Sequence, residues 1–151
     1  MKTAREIMSR EIVSVPPEMP VEELASLLWE KRISGAPVVD GDGRLVGVVT
    51  ESDLIDQAKK FHIPTAITIL EAVIFLDRGK KVEQEVSKMA GSRVKDICAS
   101  EPVTVNPETP LDEVATIMAE KHLHTLPVLE EGKVVGVIGK TDIIRTLSAG
   151  G

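Results

Sequence analysis

Residues 13–39 read VSVPPEMPVEELASLLWEKRISGAPVV and residues 103–129 read VTVNPETPLDEVATIMAEKHLHTLPVL, two stretches that align without a gap, each residue paired with the one 90 positions on. The likeness continues through GRLVGVVTESDLI (43–55) and GKVVGVIGKTDII (132–144), once the second copy has dropped a turn residue. A duplicated unit of this size packs against its copy, because each presents an apolar face that it cannot bury alone, and sites then tend to come in pairs at the seam. Function is therefore sought between the halves.

Within the unit, a β-branched run at Ile12–Val15 or Val103–Val105 stops at Pro16-Pro17 or Pro107, the pattern of a strand followed by a turn. Pro20 and Pro110 suit a helix start, and the acidic pairs Glu22-Glu23 and Asp112-Glu113 suit the positive end of its dipole. Apolar residues at Val21, Leu24, Leu27, Leu28 and at Leu111, Val114, Ile117, Met118 keep helical spacing, and Lys31-Arg32 or Lys121-His122 place cations at the negative end. Pro37-Val38-Val39 and Pro127-Val128-Leu129 then begin a second strand. It turns at Asp40–Gly43 or Glu130–Gly132 and returns along Leu45–Val49 or Val134–Ile138. A last helix starts around Ser52-Asp53 or Thr141-Asp142. The reading is an α+β fold: two β-α-β-β-α units over 1–60 and 93–151, packed about a pseudo-twofold axis, with a helical insertion over 61–92. Pro64–Leu76 in that insertion is apolar on almost every side, so it belongs under the repeats or, the reading we favour, against another subunit.

Composition narrows the function classes. The chain has 151 residues, 42% of them hydrophobic, which is enough for a core built from Val, Ile, Leu, Met and Ala, since only Phe61, Phe75 and Trp29 are aromatic. A net charge of −6 and the scarcity of stacking residues argue against nucleic acid. The lone Cys98 excludes an internal disulfide and suits a reducing cytoplasm. The N-terminus has no continuous apolar run of the signal-peptide kind. The stretch from Ile63 to Leu76 spans only about 21 Å as a helix against a hydrocarbon core of roughly 30 Å, so no membrane crossing is expected.

Familiar catalytic and metal patterns fail. Gly41, Gly43 and Gly47 lack the spacing of a dinucleotide loop, and they precede a strand rather than a helix. Asp40, Asp42 and Glu51 imitate a calcium loop, but Leu45 stands where the turn glycine is needed. His122 and His124 have no third ligand near in sequence, so no metal site is expected. Without a nucleophile-base set the chain reads as a binding protein, not an enzyme.

The segment with chemistry is the strand-to-helix turn, Gly47–Asp53, repeated as Gly136–Asp142. Hydroxyls at Thr50, Ser52 and Thr141 fall where the free N–H groups of a helix's first turn gather, which suits a phosphate. Asp53 and Asp142 would repel that phosphate, but a carboxylate can accept two hydrogen bonds from a vicinal diol such as ribose. Each of these residues could equally be an ordinary N-cap.

With its helix, x-Pro-Val-Val strand, glycine hairpin and G-h-h-T-x-x-D turn in tandem, the chain resembles a pair of cystathionine-β-synthase (CBS) domains, a Bateman module, over nearly all of its length outside the insertion. The resemblance implies two clefts that bind AMP, ADP, ATP or S-adenosylmethionine as regulatory ligands, with the question of Mg²⁺ beside ATP left open. By position it assigns Asp53 and Asp142 to ribose, and Thr50, Ser52 and Thr141 to phosphate or ribose. Ile12, Val13, Pro102 and Val103 fall to the adenine, with Val48 and Val137 beside it. Ser34 and His124 fall at phosphate-facing positions, and Met8 and Cys98 at positions reaching across to the other repeat's cleft or into the core. Repeat 2 has Gly139 in place of Thr50 and adds Lys140, which suggests an AMP-like ligand beside Asp53, and beside Asp142 either ADP or ATP or none.

The resemblance further implies a homodimeric sensor of a prokaryotic cytoplasm that acts on a separate effector protein. The alternative is a structural dimerisation module whose clefts stay empty.

Overall fold

The computed structural model describes residues 2–60 and 92–148; the greater part of the 61–92 insertion, including the apolar run Pro64–Leu76, lies outside the described residues. Repeat 1 contains helix α1 (Ala4–Ile7), α2 (Val21–Lys31), the hairpin β1 (Gly35–Val39) and β2 (Leu45–Thr50), and α3 (Glu51–Lys60). Repeat 2 follows the same order: α4 (Val94–Ile97), α5 (Leu111–Glu120), β3 (Thr125–Glu130), β4 (Lys133–Gly139) and α6 (Lys140–Ser148). Each hairpin is antiparallel, with Pro37 opposite Val48 and Pro127 opposite Val137.

The strand expected at the start of each unit is reduced to one parallel bridge, Val15 on Val38 and Val105 on Val128. Prolines are the cause. Val15 donates to the Pro37 carbonyl at 3.0 Å and accepts from Val39 N–H at 2.9 Å; Val105 does the same with Pro127 at 3.1 Å and Leu129 at 2.8 Å. One step back, Val13 or Val103 would need an N–H from Pro37 or Pro127, and one step forward Pro17 or Pro107 would have to donate. Proline has no N–H, so the ladder stops on both sides.

Ahead of each unit runs an arm that the other unit holds. Residues 2–9 lie along repeat 2: Ala4 donates to Thr109 O at 2.8 Å, Arg5 to Pro107 O at 2.9 Å, and Leu111 to Lys2 O at 2.8 Å. Residues 92–99 lie along repeat 1 in the matching register, Val94 donating to Met19 O at 2.9 Å, Lys95 to Pro17 O at 2.9 Å and Val21 to Ser92 O at 3.1 Å. Each arm ends as a bridge on a hairpin edge, Ser9 on Val137 and Ala99 on Val48. Gly136 and Gly47 face these crossings. A Cβ at Gly47 would sit 2.5 Å from Ala99 O, and one at Gly136 would run into the Met8 side chain.

Both cores are thereby shared. Ala4, Ile7 and Met8 pack with Val105, Val114, Leu126, Val128 and Ile138, while Val94 packs with Val15, Leu24, Ala36, Val38 and Val49. Ile7 is 2% exposed and Val94 fully buried, so the arms belong to the interior. Truncating Ile7→Ala should destabilise the protein by about 2–5 kcal/mol in urea unfolding. Trp29→Ala, on a side chain 84% exposed, should stay within about 0.5 kcal/mol at concentrations where the chain is monomeric. Gly47→Ala should cost about 1–3 kcal/mol, because the atom in its way is backbone.

Two candidate clefts at the seam

The strand-to-helix turns are built by their own aspartates. Asp53 Oδ2 accepts from Thr50 N at 2.8 Å and from Thr50 Oγ1 at 3.2 Å, while Asp53 N–H reaches Thr50 Oγ1 at 3.4 Å, a reciprocal cap. Asp142 Oδ2 accepts from Gly139 N at 2.7 Å, so the second cap needs no hydroxyl and does not use Thr141. A capping role is therefore real, though each aspartate fills it as the third helical residue reaching back to the N-cap amide rather than as the N-cap itself, and it occupies one oxygen of each carboxylate. Asp53 Oδ1 has no hydrogen-bond partner among the described residues, whereas Asp142 Oδ1 accepts from Arg145 at 2.8 Å.

Beside each turn lies a cleft whose other wall comes from the opposite repeat. The Asp53 cleft, about 580 Å³, takes Val48, Thr50, Ser52 and Asp53 from repeat 1, and Pro102, Val103, His122 and His124 from repeat 2. The Asp142 cleft, about 300 Å³, takes Val137, Lys140, Thr141 and Asp142 from repeat 2, and Val13, Arg32 and Ser34 from repeat 1. Ser34, His124 and Thr125 line both. Of the residues expected at the sites, Ile12 alone lines neither cleft. Met8 lies in the core of repeat 2 and Cys98 packs against that of repeat 1.

At the seam the repeats touch where β1 and β3 begin. Ser34 Oγ and Thr125 Oγ1 are 3.3 Å apart, and a Cβ on Gly35 would fall 2.7 Å from Thr125 Oγ1, so glycine is what lets β1 and β3 meet. The proline stops matter here too. Among the described residues the backbone N–H and C=O of Val13 and Val103 have no hydrogen-bond partners, and both residues border the clefts.

Several lining residues were not singled out from sequence. Arg32 and His122, read there as helix-end cations, both adopt left-handed backbone at φ 54°. Non-glycine residues rarely do so, and the turn swings Arg32 into the Asp142 cleft and His122 into the Asp53 cleft. Lys121, Glu101 and Glu11 were missed as well. The available signal was the arms: the offset of 90 extends back to residues 3 and 93, pairing Ile7 with Ile97 and Glu11 with Glu101.

The pattern of the CBS domain matches residues 4–60 and 94–149, arms included. The chain belongs to the CBS domain family. Among its relatives, the uncharacterised protein MJ1426 of Methanocaldococcus jannaschii is 26% identical over 153 residues, which cover 95% of this chain and 89% of that one. The chloroplastic CBS domain-containing protein CBSX1 of Arabidopsis thaliana is 33% identical over 134 residues, 87% of this chain and 57% of the relative, so the match spans a little over half of CBSX1. The crystal structure of CBSX2 in complex with AMP is similar at a TM-score of 0.75 and 25% identity, covering 99% of this CBS chain and 98% of that one.

Burial, reinforced by the negative charges of Asp53 and Asp96, pushes the Cys98 thiol up from its usual range. Cys98 should therefore alkylate slowly with iodoacetamide at neutral pH. Asp53→Asn removes a charge that disfavours the thiolate, so its pH–rate profile should move to lower pH. An unchanged profile would separate the thiol electrostatically from the cleft.

Proposed function

We propose that the protein is a regulatory CBS pair that binds adenosine compounds in the clefts between its repeats and performs no reaction of its own. One observation carries this reading. In each cleft a carboxylate on a helix start from one repeat stands opposite backbone from the other that has no hydrogen-bond partner among the described residues, Val103 facing the Asp53 turn and Val13 facing the Asp142 turn. Such N–H and C=O groups beside apolar Val48, Pro102 and Val103 suit the edge and faces of a purine. The open Oδ1 of Asp53 suits a ribose diol. The AMP complex of the similar CBSX2 supports the same ligand class.

A ligand seated there bridges both repeats, so its binding energy favours whichever arrangement closes the cleft, and that preference is the signal. The reader of the signal is a separate effector protein of the cytoplasm. Self-association completes the reading: Trp29, Ile55, Ile144 and Leu147, on α2, α3 and α6, are 61–84% exposed and offer apolar surface to a second copy. The capping bonds of Asp53 and Asp142 favour a second reading, a dimerisation module with empty clefts in which both carboxylates serve only their helices.

Thermal unfolding with AMP, ATP, adenosine and S-adenosylmethionine separates the two. A ligand at about 100 times its dissociation constant adds about 2.7 kcal/mol of stability. Asp53→Ala should weaken the ligand of its cleft by about tenfold or more, the worth of a hydrogen bond to a charged acceptor. No shift with any of the four at millimolar concentration would leave the module purely structural.

A further inference from the structure

The two clefts share a backbone plan but not a charge, and the differences between the copies all lean the same way. At the first residue of the helix that follows each hairpin, repeat 1 has Glu51 and repeat 2 has Lys140. At the left-handed corner that crosses into the opposite cleft, the Asp53 side receives His122 and the Asp142 side receives Arg32. One turn further along the helix, Arg145 holds Asp142 Oδ1 at 2.8 Å, whereas the matching position beside Asp53 is Asp56.

The lining charges follow. Around the Asp53 cleft, Glu51, Asp53 and Glu101 face Lys121; around the Asp142 cleft, Arg32 and Lys140 offset Glu11 and Asp142. The hydrogen-bond donors divide likewise. Thr50 Oγ1 donates to Asp53, and the Glu51 amide donates to Ser34 O at 2.8 Å, so two groups that could have served a phosphate are occupied. Among the described residues no such bond ties the Lys140 amide.

Resting on the adenosine reading above, we infer that the clefts divide their ligands by charge: the Asp142 cleft takes a nucleoside polyphosphate, and the Asp53 cleft takes an adenosine compound without phosphate, uncharged or cationic at its 5′ position. Phosphate oxygens beside Glu51, Asp53 and Glu101 meet like charges, whereas a sulfonium there meets opposite ones. Arg32 and Lys140 give the Asp142 cleft two cations that can pair with phosphate oxygens, balancing its carboxylates. Thr50 in repeat 1, which the sequence pairs with an AMP-like ligand, works instead as an N-cap.

Isothermal titration of the full chain tests the division with ATP and S-adenosylmethionine as probes. The expected result is one ATP site per chain and one S-adenosylmethionine site that ATP does not displace. Lys140→Glu should weaken ATP about tenfold or more and leave S-adenosylmethionine unchanged, while Glu51→Lys should open a second ATP site; each reverses one charge close to the ligand. Glu51→Gln provides a milder step in the same direction should the lysine variant lose its circular dichroism signal. Two equal ATP sites in the unmodified chain, or ATP affinity indifferent to both Lys140→Glu and Glu51→Gln, would overturn the division while leaving adenosine binding intact. Failure of every adenosine compound to bind would remove the underlying reading as well.

Discussion

Each repeat completes its core with a short helix that precedes the other repeat. Ala4 and Ile7 are closed in by the Val114, Leu126 and Ile138 side of the molecule, and Val94 by Leu24, Ala36 and Val49. The main-chain bonds at the two crossings are paired in both directions: Ser9 with Val137 at 2.8 and 3.0 Å, Ala99 with Val48 at 3.0 and 3.2 Å. Pulling the repeats apart would expose both cores at once, so the halves stand or fall as one cooperative unit. Arg5 with Glu130 at 3.0 Å and Lys95 with Glu18 at 3.0 Å lie on the surface and add little beside this burial.

The crossing also makes the clefts. Beyond Ser9 and Ala99 each chain must travel from a hairpin edge on one repeat to its own unit's single parallel bridge at Val15 or Val105. The stretch between passes over the turn that carries Asp142 or Asp53. Pro37 and Pro127 keep that stretch from zipping onto the neighbouring strand, so the backbone of Val13 and Val103 stays available. A proline that ends a ladder here leaves donors and acceptors for something other than the sheet.

Sequence reading reached the duplicated unit because the helices and hairpins carry long apolar periodicity, and periodicity is a local signal. The arms carry none. A four-residue helix shows a single turn, and the copies AREI and VKDI keep only their final isoleucine in common, with a basic and an acidic residue at matching places. What makes them core is the partner surface, which lies about a hundred residues away in one case and some seventy in the other. The aspartates were legible as chemistry but not as division of labour. That one oxygen caps the helix while the other stays open at Asp53 and is tied by Arg145 at Asp142 depends on rotamers and on a neighbour three residues on. Arg32 and His122 read as helix-dipole cations because the positive φ that redirects them leaves no mark in a single sequence, where glycine is the usual sign.

The clefts are also not independent volumes. Ser34, His124 and Thr125 stand in the wall between them, and Ser34 and Thr125 are in contact across the pseudo-twofold axis with no room for a Cβ on Gly35. In a wall packed that closely, a side chain that turns toward one ligand withdraws from the other, and by linkage the second ligand must act back on the first to the same degree. Two different ligands of unlike charge on either side of such a wall would each alter how tightly the chain holds the other. A duplicated fold whose copies have diverged in charge can do this, whereas two identical clefts would report only total occupancy.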